Sequence, residues 1–271
     1  MISEPKSILI ATHLEYPPEG FKIVDDEIVS LYHKLREPGG YRYENLVIQA
    51  DPPRLFTEGP GDDTESFCEI GPHTISIVER GAPVMAADEF AGVVQTVLGG
   101  LGDRCPPFFF QRTKIQCLAQ PISGDSIELL AGKVANVLNR ISPFGRPPSF
   151  FGVRFRFLPE EFFNDEGKQD EQGTEAVADA HVEEESEGSL VDTPAGVQSA
   201  EGFVTVRFES YSRDPSQVWM EVGAMDRLAP VVATQDIDRL GKSIVRVYKF
   251  LTENCKRFLD QFDDERNCEE G

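Results

Sequence analysis

Four histidines and five cysteines are the side chains from which a metal centre or a nucleophilic site would have to be built. His13 with Glu15, and Glu69 with His73, each supply two ligands, where a zinc site commonly needs three or four. The chain contains no H-E-x-x-H, no paired His/Cys set and no G-x-S-x-G elbow. His33 falls on the exposed face of a short helix and His181 in an acidic stretch, so all four histidines read as structural or surface groups. Cys68, Cys105, Cys117, Cys255 and Cys268 are odd in number and widely spaced, without a C-x-x-C. That pattern argues against a disulfide framework or a structural zinc and for reduced thiols in a cytoplasm. Cys117 and Cys255 lie on apolar stripes and read as small buried hydrophobes, while Cys105 and Cys268 read as surface positions with nothing nearby to stabilise a thiolate. Leu98-Gly-Gly-Leu-Gly-Asp103 follows a helix instead of opening one, so it reads as a helix end and not as a phosphate loop. No catalytic residue is assigned, and no metal or cofactor is expected.

The constellation with most chemical content is basic. On the polar faces of strands whose other faces are apolar stand Arg112 and Lys114, Arg154 and Arg156, and Arg207. If those strands are neighbours, five cations share one surface able to hold a phosphate-bearing ligand, nucleic acid or an acidic partner segment. The plainer alternative is a solvated face balanced by Glu209 and Glu221, since strand cations also guard against edge pairing. Trp219 points away from Val218, Met220 and Val222, either as an anchor for a partner or under a second layer of helix. The run Phe108-Phe109-Phe110 exceeds what one buried face needs.

The chain carries 26 Lys+Arg against 47 Asp+Glu, a formal net charge of −21 over 271 residues. From Glu160 to Glu201 there are fourteen acids and one base, Lys168, so −13 of that charge belongs to one stretch. The last nine residues, 263–271, carry −4 more, which leaves the body at −4. Residues 164–200 show no sustained period of 2 or 3.6 and few large apolar side chains. They are therefore expected to be a disordered acidic insertion, serving as a solvated spacer, a partner-binding tether, a protease-sensitive hinge or a nucleic-acid mimic. No segment approaches the roughly 20 apolar residues of a membrane span, and the N-terminus lacks the features of a secretory signal.

The elements that must position these residues alternate along the chain. Strands are expected at Ser7–Leu14, Tyr41–Gln49 and Phe67–Arg80, with helices at Asp25–Arg36, opened by Asp25 or Asp26, and Asp88–Leu98, closed by Gly99-Gly100. The order then repeats: a strand at Phe108–Ala119, a helix at Asp125–Ile141, and strands at Phe151–Phe157, Phe203–Tyr211 and Gln217–Val222. A long amphipathic helix begins near Thr234 or Asp236 and carries a stripe from Ile237 to Phe262. The expected class is α+β, built as two similar halves of mostly antiparallel sheet covered by helices. Residues 1–105 form the N-terminal half, 106–262 the C-terminal half with insertion 164–200, and 263–271 an acidic tail.

The strand Phe151-Gly-Val-Arg-Phe-Arg-Phe157, the element Gln235-Asp-Ile-Asp238 and the closing helix are similar to a family of uncharacterised prokaryotic α+β proteins of about this length. The resemblance implies the fold and no activity. The expected function is a non-enzymatic cytoplasmic binding or regulatory protein. Its partner is expected to be another protein, and a homodimer is open. Phe258 and Phe262 on the terminal helix are candidate partner contacts with Trp219, and the five cations are the candidate ligand site.

Overall fold

The computed structural model describes residues 2–17, 24–37, 43–59, 64–81, 84–120, 152–157, 202–214, 216–232 and 237–263. The expected helix 125–141, the insertion 164–200 and the tail beyond Asp263 lie outside the described residues.

Nine strands form one antiparallel sheet: β1 Lys6–Glu15, β2 Asn45–Val47, β3 Arg54–Glu58, β4 Glu65–Ile70, β5 Thr74–Arg80, β6 Phe108–Ala119, β7 Gly152–Phe157, β8 Phe203–Ser210 and β9 Val218–Val232. Their order is β2-β3-β4-β5-β1-β6-β9-β8-β7. The expectation of a sheet for each half is thus corrected to a single continuous sheet, because β1 and β6 pair along most of their length, from Lys6↔Leu118 to Glu15↔Phe110. Two further boundaries differ from expectation. The run 67–80 is a hairpin, turned at Gly71, whose carbonyl accepts from the Tyr16 hydroxyl. The stretch after Gln49 contains β3, a five-residue strand hidden between proline- and glycine-rich flanks.

The helices are α1 Asp25–Leu35, α2 Ala87–Leu101, α3 Ile237–Lys249 and α4 Lys256–Asp263, the last two joined by a π-helical turn, Phe250–Cys255. At the start of α1, Val24 holds the cap position in place of Asp25 or Asp26, and the Glu27 carboxylate accepts the Val24 N–H at 3.1 Å. α2 runs through Gly99 and Gly100, and its cap is Gly102, whose φ of +55° suits glycine. The terminal run buries Leu240, Ile244, Val247, Leu251, Cys255 and Leu259. A π turn is wider than an α turn, so the successive four-residue steps after Val247 stay on one face.

All these helices cover the same side of the sheet, with α2 packed between α1 and α3. One core runs across both halves, from Ile2, Ile10 and Leu14 through Val94 and Ile115 to Val206, Phe208, Met220 and Leu259. Each fully buried aliphatic or aromatic side chain contributes about 1.5–3 kcal/mol to such a core.

Candidate functional site

Alternation sends every second residue of each strand away from the helices. On that uncovered side, Leu9, Ala11 and Val78 make a small apolar patch with Phe67 against it. Charged side chains surround the patch, unevenly in sign. Among the described residues, β1, β3, β4 and β5 place Glu15, Glu58, Glu65 and Glu69 there against Lys6, Arg54 and Arg80. On the same face β6, β7, β8 and β9 place Arg112, Lys114, Arg154, Arg156, Arg207 and Arg227 against Glu209 and Glu221. The first half of the face is nearly balanced in charge, and the second is clearly basic.

The five cations singled out from the sequence all lie on this face, in two groups. β9 separates β6 from β8, so Arg112 and Lys114 stand apart from Arg154, Arg156 and Arg207. Arg112 Nε lies 2.6 Å from the Glu15 carboxylate. Lys114 Nζ lies 2.8 Å from Glu221, which also accepts from Gln116 Nε2 at 2.6 Å. Arg207 pairs with Glu209 at 2.8 Å and places its guanidinium 5.3 Å from the centre of the Trp219 ring. Arg156 sits 4.4 Å above the Phe203 ring. Such partly exposed ion pairs contribute about 0–1 kcal/mol each, so they fix the geometry of the surface more than its stability.

Arg154 differs from the others. It stands directly opposite Arg207 in the β7–β8 ladder, is exposed, and has no ion-pair partner among the described residues. Phe203 and Arg227 are not singled out by the sequence alone. For Phe203 the signal was present: Phe203, Thr205, Arg207 and Glu209 alternate with Val204, Val206 and Phe208, which places its ring on the arginine side.

Trp219 lies on the uncovered face, and no described helix covers it. Phe258 is half-buried: its ring stacks on Phe208 at 5.4 Å and meets Phe155 edge-on at 5.5 Å, at the C-terminal end of the core. Phe262 falls in α4, beyond the side chains described. Phe108 is buried beside Tyr16, whereas Phe110 joins the uncovered face opposite Arg227.

His13 also lies there, its Nδ1 2.8 Å from Ser76 Oγ. Burial, and then the positive charges of Arg112 and Lys114, hold its pKa below the ordinary value. Cys105 is buried, contrary to the surface position expected for it, and so are Cys68, Cys117 and Cys255. Burial pushes the thiols of Cys68 and Cys105 up to about 12 and that of Cys117 to about 11. Cys255 moves in the same direction. As thiols they are poor nucleophiles at neutral pH. Among the described residues, no group of three His, Cys, Asp or Glu is placed to hold a metal ion, and no helix is long and apolar enough to cross a membrane.

Searches against protein-family models, curated proteins and solved structures find no match to this chain.

Proposed function

We propose that this chain is a non-enzymatic binding protein that engages an acidic stretch of another protein through the basic half of its uncovered sheet face. The observation that carries this reading is the Arg154–Arg207 pair. Like charges directly opposite weaken a strand pair by roughly 0.2–1 kcal/mol. A carboxylate placed between two guanidinium groups turns that repulsion into charge-assisted hydrogen bonds. Trp219 and Phe203, each already under an arginine, offer rigid apolar surface beside the charges. The same pair favours a second reading, a phosphate-bearing ligand or nucleic acid, because guanidinium forks also match phosphate oxygens.

Strand order supports a relation between the two halves. From the central seam, β1-β5-β4-β3 on one side answers β6-β9-β8-β7 on the other, and a helix follows both β5 and β9. The composition of 164–200 supports its reading as an insertion spliced between β7 and β8. The four buried thiols fit a reducing cytoplasm.

The test is affinity capture with the full chain and with an R154E/R156E variant whose circular dichroism matches it, followed by mass spectrometry. The reading expects a protein retained by the first and lost by the second. Identical retention on both would place the binding surface elsewhere.

A further inference from the structure

We infer that the acidic stretch binds as an extended chain crossing the strands over Gly223, with carboxylates about four residues apart held by the cations on either side. This rests on the reading of the basic half as an anion-binding surface and names the form its partner takes.

Gly223 is the first observation. It stands in the interior of β9, between β6 and β8, where glycine weakens a strand and often marks a close approach by a ligand or another backbone. Nothing in the fold itself requires it. Its φ lies outside the left-handed region, and its pairing with Lys114 on one side and Thr205 on the other is regular, without a bulge. A Cβ there would meet no heavy atom within 4 Å, in contrast to Gly241, so the space above Gly223 is open. Register is the second. Lys114, Gly223, Thr205 and Arg156 stand opposite one another in that order across β6, β9, β8 and β7. Gly223 therefore lies in the gap that separates Arg112 and Lys114 from the arginines of β7 and β8. From β6 to β7 there are three interstrand spacings, about 14 Å. An extended chain advances about 3.3–3.6 Å per residue, so about four residues cross that distance. Residues an even number apart in such a chain face the same way, which turns both carboxylates toward the sheet.

The cations keep donors for such a chain. Glu221, beside Gly223 on the same face of β9, is already held by Lys114 Nζ at 2.8 Å and Gln116 Nε2 at 2.6 Å, and Arg112 holds Glu15. An ammonium has three donors and a guanidinium five, so one carboxylate exhausts neither. At the other end, Arg154 and Arg207 stand directly opposite each other and gain from a carboxylate between them. A single strand of nucleic acid would need open rings on which to stack its bases. The rings of Trp219 and Phe203 already lie under Arg207 and Arg156, so the peptide is the occupant that this surface fits.

The experiment follows the anisotropy of fluorescein-labelled peptides titrated with the full chain at low salt. Two peptides of serine and threonine each carry two glutamates, four residues apart in one and adjacent in the other. The first is expected to bind at least about tenfold more tightly, and equal affinities would overturn the crossing. Gly223→Val is expected to bind polyglutamate at least about tenfold more weakly than the unaltered chain, with no loss of stability in urea, because valine suits a strand and fills the open space. Unchanged polyglutamate affinity in Gly223→Val, with R154E/R156E abolishing it, overturns the crossing and leaves the anion-binding face standing. No polyglutamate binding by the unaltered chain overturns both. A thymidine oligonucleotide that binds more tightly than polyglutamate, and is lost in Gly223→Val, would make nucleic acid the occupant and contradict the peptide assignment. Should Gly223→Val fail to fold, the two spaced peptides on the unaltered chain decide the matter.

Discussion

Arg154 is the residue whose structural and functional interests diverge most clearly. Facing Arg207, it weakens the β7–β8 pair, so Arg154→Glu should stabilise the fold slightly, by about 0.2–1 kcal/mol in chemical denaturation. The same change should abolish capture of an acidic partner. A variant that loses stability together with binding would mark Arg154 as a packing residue. His13 makes a second prediction. Its pKa in the fold lies below that in the unfolded chain, so the unfolded state binds the proton more readily. The stabilisation is complete above the ordinary histidine pKa of about 6.5 and is lost as pH falls below it. Thermal melts between pH 7.5 and 5 should therefore fall more steeply for the unaltered chain than for His13→Gln, and equal slopes would contradict the assignment. At this scale the sequence was informative about faces but not about neighbours. Period-2 alternation placed Arg112, Lys114, Arg154, Arg156 and Arg207 on one side. That β9 would come between β6 and β8 follows from long-range pairing, which leaves no local mark in a strand.

At the scale of elements, the long terminal helix was the most legible, because its apolar steps persist through ten positions. Its destination was not. The same stripe serves a core or a partner, and the meeting of Phe258 with Phe155 and Phe208 brings at least part of that ring into the core. Phe258→Ala should accordingly lower stability by about 2–3 kcal/mol and leave the sedimentation coefficient of the native protein unchanged. A shift in mass with no loss of stability would return Phe258 to an interface. The α2–α3 crossing gives a sharper case. A Cβ at Gly241 would meet Gln95 Nε2 at 3.1 Å and Ala91 Cβ at 3.3 Å. Gly241→Leu should destabilise by about 1–3 kcal/mol in urea, in spite of leucine's better helix propensity. β3 was missed for a local reason: Pro52, Pro53 and Gly59 crowd a five-residue strand that exists through its pairing with β4.

At the scale of the whole molecule, two runs of similar order share one sheet and one core. β1 without β6 would expose a long unpaired edge at the centre of the fold, and Leu240, Ile244 and Val247 close over both runs. Unfolding should be a single calorimetric transition whose van't Hoff and calorimetric enthalpies agree, and two resolved transitions would show independent halves. The net charge of −21 takes a different meaning at this scale. Most of it lies in the stretch of sequence between β7 and β8, while those two strands carry part of the basic half of an uncovered face. That face, and not the helical side, is the surface on which the account depends. The most direct measurement is arginine footprinting with phenylglyoxal, read by peptide mass spectrometry, on the chain alone and with its captured partner. The partner should protect Arg154, Arg156 and Arg207 and leave Arg239 and Arg257, on the helices, as reactive as before. Protection confined to Arg239 and Arg257 would contradict it.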